Sequence, residues 1–141
     1  MRVKKSLFLL RVVLGWIFFY AGISKLMDSN WSAAGYIRGA KSFGPIYDWL
    51  GSSSNIGWVN LVNEWGLMIV GLALILGFRT RIAAIVGSVF MAAYYLPALD
   101  FPYAGNSAFL IDEHIVYIIA LWVLATSGAG KYWGLEKSKS K

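Results

Sequence analysis

Apolar residues run along this chain in four long blocks, near 7–27, 56–78, 82–99 and 109–127. A helix needs about 20 residues to cross a bilayer, so each block predicts a membrane span, the third with little tilt. The first block is apolar except for Arg11, Ser24 and Lys25. The second carries Asn60, Asn63 and Glu64 in its first third. The third has no charge, and the fourth opens on Asp112, Glu113 and His114, then runs uncharged from Ile115. Met1–Lys5 is basic, as in a secretory leader, but Arg11 interrupts the apolar run that follows and no small-x-small cleavage pair comes after it. The first block is therefore expected to be a retained helix.

The connection 28–55 has its own pattern. Ala33, Tyr36, Ile37, Ala40 and Phe43 recur at helical spacing, Gly44–Pro45 breaks the run, and Ile46, Trp49 and Leu50 mark a second short turn. One or two short amphipathic helices on the membrane surface are expected here, anchored by Trp31, Tyr36 and Trp49. Basic residues set the orientation. Arg2, Lys4, Lys5, Arg79, Arg81, Lys131, Lys137, Lys139 and Lys141 share one side of the four spans, against Lys25, Arg38 and Lys41 on the other. The positive-inside bias puts both termini in the cytoplasm and the long first connection outside. The expected fold class is all-α: one domain over 1–141, an integral membrane four-helix bundle with short amphipathic helices in the external first loop.

Composition sharpens this. Apolar residues make up 58% of the 141 positions and charged ones 14%, against roughly a quarter charged in soluble domains. A soluble fold of this size cannot hide so much apolar surface, so the lipid bilayer is the expected partner. The net charge of +6 flanks apolar spans instead of forming a stripe on a polar domain, which argues against nucleic acid. There is no cysteine and one histidine. Disulfides, thiolate metal sites and two-histidine haem ligation within one chain are excluded, and no metal or haem is expected in a single protomer.

Ionisable groups inside membrane spans are costly and tend to be paired and used. On the first helix Arg11, Gly15, Phe18, Gly22 and Lys25 share a face; small Gly15 and Gly22 suit close helix packing, and Arg11 and Lys25 can snorkel to opposite interfaces. On the second, Asn60, Asn63, Glu64, Leu67 and Gly71 share another. Glu64 lies roughly 8–12 Å below the outer end at ~1.5 Å per residue. With Tyr94 and Tyr95 ending the third helix, and His114 and Tyr117 on one face of the fourth, the outer half can gather Lys25, Glu64, His114 and several phenols. The inner half offers almost nothing comparable. Such a set suits quinone chemistry: Glu64 and His114 exchange protons, Lys25 holds Glu64 or a quinone oxygen, and Tyr94, Tyr95, Tyr117 and Trp65 line the site. Trp16, Phe18, Phe19, Tyr20 and Trp122 could complete a flat apolar slot. The plainer reading makes Lys25, Glu64 and His114 a buried polar tie that fixes helix register, and sequence chemistry leaves both open.

At this point the chain resembles the DoxX/DoxD family of small prokaryotic membrane proteins over nearly its whole length. The matching pieces are Arg11, Gly15, Gly22 and Lys25–Leu26 in the first helix; Asn63–Glu64, Gly66 and Gly71 in the second; the run 76–84 around the second connection; His114; and the run 128–135. The external Trp31, Gly35–Tyr36 and Gly44–Pro45 are most similar to the DoxD branch. The resemblance implies a four-helix protein of the prokaryotic cell membrane. It also implies a link to thiosulfate:quinone oxidoreductase, which passes electrons from thiosulfate to a membrane quinone. No fused DoxA-like region is expected, so a partner subunit or a homo-oligomer is implied. Gly77 reads as a turn residue, and Arg79 and Arg81 as anchors to the anionic inner surface, a structural and topogenic role. The main functional expectation is a quinone-linked oxidoreductase subunit. The alternatives are a non-catalytic scaffold subunit and, last, a small-solute pathway.

Overall fold

The computed structural model describes residues 2–106 and 108–136. Lys137, Lys139 and Lys141 lie outside the described residues. Elements follow in the order α1 (Arg2–Met27), α2 (Ala34–Arg38), α3 (Gly44–Leu50), α4 (Ile56–Leu76), α5 (Thr80–Ala98), β1 (Leu99–Asp100), β2 (Tyr103–Ala104), β3 (Ala108–Phe109) and α6 (Glu113–Ser127), with a 3₁₀ turn at Ala129–Lys131. The fold is all-α and membrane-type. Helices α1, α4 and α5 are long and apolar enough to cross a bilayer.

The apolar helix α6 is shorter, with 15 residues. The expected fourth block began four residues earlier, at Phe109, which instead ends a small antiparallel meander, β1–β2–β3. Asp112 starts the helix by accepting hydrogen bonds from the His114 and Ile115 amides, so the helix cannot extend back through it. The meander carried no alternation long enough to predict strands.

Helix α1 packs most closely on α4, α5 on α6, and α4 on α5, with a lighter α1–α6 contact. Leu14, Phe18, Leu67, Leu74, Leu121 and Leu124 form the core between them. The α1–α4 pair approaches backbone to backbone. A Cβ at Gly22 would lie 2.5 Å from the Met68 nitrogen, and one at Gly15 2.8 Å from the Ile75 nitrogen. One at Gly71 would overlap the Phe19 backbone. Small residues here let two apolar helices interlock where lipid offers no hydrophobic drive between them.

At the α4–α5 turn, Gly77 takes φ +66° and closes α4, a conformation glycine adopts without a Cβ clash. Arg79 follows with φ +44°.

Candidate functional site

The first connection folds onto the far end of α5. Its helices α2 and α3 share a small core of Ala33, Ile37, Tyr47 and Val59. Asn60 on α4 fixes the entry to α2 by accepting from the Ala33 amide at 2.9 Å. The end of α5 needs such a cover. Pro97 has no N–H, so the Ala93 carbonyl has no helical donor. The Tyr47 hydroxyl supplies one, at 2.8 Å. The Tyr36 hydroxyl donates to Tyr94 O and the Ser42 hydroxyl to Leu99 O, while the Lys41 amide donates to Pro97 O at 2.9 Å. Burial raises the phenol pKa of both Tyr36 and Tyr47; for Tyr36, Tyr47 and the nearby Asp112 and Glu113 carboxylates push in the same direction.

Beneath this cover lies a polar cluster. Asp112 Oδ2 sits 2.7 Å from His114 Nδ1, and Asp112 Oδ1 accepts from the His114 amide at 3.0 Å. One carboxylate thus caps α6 and orients the ring. The Asp112 side chain is 8% exposed and that of His114 22%. An ionised carboxylate only accepts, so it favours the tautomer with hydrogen on Nδ1 and leaves the Nε2 lone pair free of this contact. The ring centroid of Tyr94 is 6.2 Å from that of His114 and 5.8 Å from that of Tyr36. The Tyr94 hydroxyl donates to Asn63 Oδ1, and Asn63 Nδ2 donates to Val59 O at 2.8 Å. The cluster therefore runs Asn63, Tyr94, His114, Asp112, with Tyr36 stacked edge-on above.

This brings together His114 and Tyr94 among the expected site residues. Asn63, Asp112 and Tyr36 join them. Asp112 stands just before an apolar run, which is a helix-start signal that sequence could have used.

Lys25 and Glu64 are not joined. Lys25 Nζ donates to Ala21 O at 3.1 Å on its own helix and lies 5.4 Å from the Trp31 ring centroid. The Lys or Arg ion pair with a carboxylate among the described residues is Lys41–Asp100, and Asp112 is hydrogen-bonded to His114. The expected Lys25–Glu64 tie is thus replaced by a cation–π contact. At this level the two helices meet through main chain, Gly22 lying against the Glu64 carbonyl, while the Lys25 ammonium is taken by its own helix and the Trp31 ring. Glu64 is partly exposed on α4.

The Tyr95 hydroxyl donates to Leu110 O, tying α5 to the segment before α6. Tyr117 packs against the main core. Trp16, Tyr20, Trp65 and Trp122 are exposed, at 58%, 60%, 45% and 61%. They face outward and do not enclose the expected flat slot; Phe18 is core.

The opposite end of the bundle corrects a further expectation. It holds the most buried charge of the described chain, Arg11, at 0% exposure. Arg11 does not snorkel. Its Nη2 donates to Trp133 O at 3.1 Å and its Nη1 to Ala129 O at 3.4 Å. The segment carrying these carbonyls returns to the α4–α5 turn, where the Glu136 amide donates to Gly77 O and the Leu135 amide to Leu76 O, both at 3.0 Å. Glu136 Oε1 accepts from the Thr80 amide at 2.6 Å, capping α5. A Cβ at Gly77 or Gly134 would overlap the guanidinium. Arg79 and Arg81 remain exposed at this turn.

The family model described as DoxX matches residues 6–98, which take in α1, the surface helices, α4 and α5. No curated protein and no solved structure matches the chain.

Proposed function

We propose, from the premise that this chain belongs to the DoxX family, that it is a membrane subunit of a quinone-linked oxidoreductase of the thiosulfate:quinone kind. The observation that carries this reading is the Asp112–His114 pair at 2.7 Å beside the Tyr94 ring. A quinone takes up two electrons together with two protons. In the thiosulfate reaction the electrons come from joining two thiosulfates as tetrathionate. The chain's own part is the protons. His114 delivers one from Nε2, Asp112 holds the ring in that tautomer and stabilises the imidazolium it passes through, and Tyr94 supplies an aromatic wall. The chemistry of this set fits a quinone: one exchangeable imidazole nitrogen, flat aromatic rings, and a partly open ring edge on His114. Glu64, on the neighbouring helix and without an ion pair among the described residues, is the second proton carrier. Lys25 acts locally at Trp31. The electron-transfer centre and the sulfur donor belong to a partner subunit. Both termini lie in the cytoplasm of a prokaryotic cell, which puts the cluster toward the outer face.

The test is binding of a quinone analogue to the purified full chain for wild type, His114→Ala and Glu64→Gln. Loss of roughly tenfold in affinity for His114→Ala supports the reading. Equal affinity in all three removes the site.

A scaffold subunit is the second reading. It is favoured by the hydroxyls of Tyr36, Tyr47, Tyr94 and Tyr95, each of which donates to an acceptor within the chain. Under it the same substitutions lower the yield of a larger complex and leave quinone affinity untouched.

A further inference from the structure

Between α5 and α6, at the end of the bundle that carries Arg2 and Glu136, a groove of about 400 Å³ opens to the surface. Arg81, Ile85 and Ser88 form one wall, at i, i+4 and i+7 on α5; Trp122, Ala125 and Thr126 form the other, and Ala84 is part of the lining. Ile85 and Trp122 are 49% and 61% exposed, so in a membrane both walls meet lipid.

The polar groups of the groove are unequal. The Ser88 hydroxyl donates to Ala84 O and the Thr126 hydroxyl to Trp122 O, each at 2.9 Å. Their protons are committed to their own helices. Arg81 makes no ion pair among the described residues and stands in the first turn of α5, about 10 Å along the axis from Ser88 at ~1.5 Å per residue. Glu136, the acid close to this turn, is spent on the Thr80 amide. The groove is thus an apolar trough with one free cation at its mouth, level with the end of the span. Arg2, Lys4, Lys5, Arg79 and Lys131 add positive charge at the same end.

We infer that this groove holds an anionic phospholipid of the leaflet on that side, its phosphate on Arg81 and an acyl chain along Ile85, Ala125 and Trp122. The bilayer supplies acyl chains to both walls, and a guanidinium pairs with phosphate by parallel N–H···O bonds where a zwitterionic head carries a competing ammonium. The site is separate from the His114 cluster and stands or falls independently of it.

The test is native mass spectrometry of the full chain, released from micelles doped with phosphatidylglycerol or phosphatidylcholine. The variants are Arg81→Gln, Thr126→Trp to fill the groove, and Arg79→Gln as a charge control on the same turn. All three positions are exposed, and thermal melts confirm folding. Wild type and Arg79→Gln are expected to retain phosphatidylglycerol and shed phosphatidylcholine. Arg81→Gln should retain it about fivefold less, the effect of one cation near an anionic surface, and Thr126→Trp should also retain less, because the ring occupies the acyl path. Inorganic phosphate should not displace the lipid. Equal retention by all variants overturns the inference, as does equal retention of both lipids. Loss in Arg79→Gln matching that in Arg81→Gln reduces it to diffuse charge, and displacement by phosphate reduces it to an anion site without an acyl chain; either result refutes it.

Discussion

Arg11 Nη2 donates to the Trp133 carbonyl oxygen at 3.1 Å, joining positions 122 apart in the chain. The first helix is thereby buckled to the segment that follows α6. A guanidinium this deep is tolerated because carbonyl dipoles and the Glu136 carboxylate surround it. Arg11→Met keeps much of the volume and leaves the Ala129 and Trp133 carbonyls without their donor, at about 1–3 kcal/mol for each acceptor left buried. The expected outcome is a lower melting temperature in detergent and faster tryptic cleavage after Lys131. Arg11→Lys should rescue only part, since an ammonium cannot span both carbonyls in one plane.

The cover over α5 gives a second prediction. Tyr47→Phe removes the one donor to a carbonyl that Pro97 cannot serve, and should cost about 1–2 kcal/mol. Its pH dependence follows from the raised phenol pKa. A group whose folded pKa is raised stabilises fully below its ordinary value and ceases to do so as pH rises through the folded one. The advantage of tyrosine over phenylalanine should therefore hold at neutral pH and fade under strongly alkaline conditions. Melts of both proteins across that range read it directly.

Gly71→Ala should be among the most damaging single changes in the membrane. Its Cβ would overlap the Phe19 backbone, and the two main chains must part, at about 1–3 kcal/mol. Gly57→Ala is the control. Nothing lies within 4 Å of its Cβ, and it should be neutral or stabilise by up to about 1 kcal/mol. Equal melting temperatures for the two variants would contradict the α1–α4 packing.

Asp112 has two duties, which two substitutions separate. Asp112→Ala loses the cap of α6, costing about 1 kcal/mol. Asp112→Asn can keep the cap but no longer favours the same His114 tautomer. In the proposed function, Asn should spare stability and still weaken the quinone analogue. Equal binding by Asp112→Asn and wild type would count against a role for the tautomer.

Much of this fold was legible because membrane spans announce themselves by length and apolarity. The expected starts of the first three blocks fall within a few residues of α1, α4 and α5, and Gly77 was readable as a turn. The short helices of the first connection showed in the spacing of Ala33, Ile37 and Ala40. What stayed hidden depends on contacts between distant segments. The meander 99–109 has strands of two residues, too short for any periodicity. Tyr47 and Pro97 match only after α3 lands on α5. Arg11 looked like an interfacial cation because its partners are backbone carbonyls, which sequence does not label. Lys25 and Glu64 looked like a pair because charge is visible in sequence, whereas the glycine contact that sets those helices acts through main chain. His114 and Tyr94 are readable as neighbours in depth, whereas the cap that Asp112 forms shows only once the start of α6 is placed at Glu113.

The most direct measurement is the affinity of the purified full chain for a benzoquinone analogue, wild type against His114→Gln, with melting temperatures read on the same samples. The account predicts roughly tenfold weaker binding by His114→Gln at an unchanged melting temperature. Equal affinity of the two proteins would contradict a role for His114 at the quinone and leave the cluster as a structural tie.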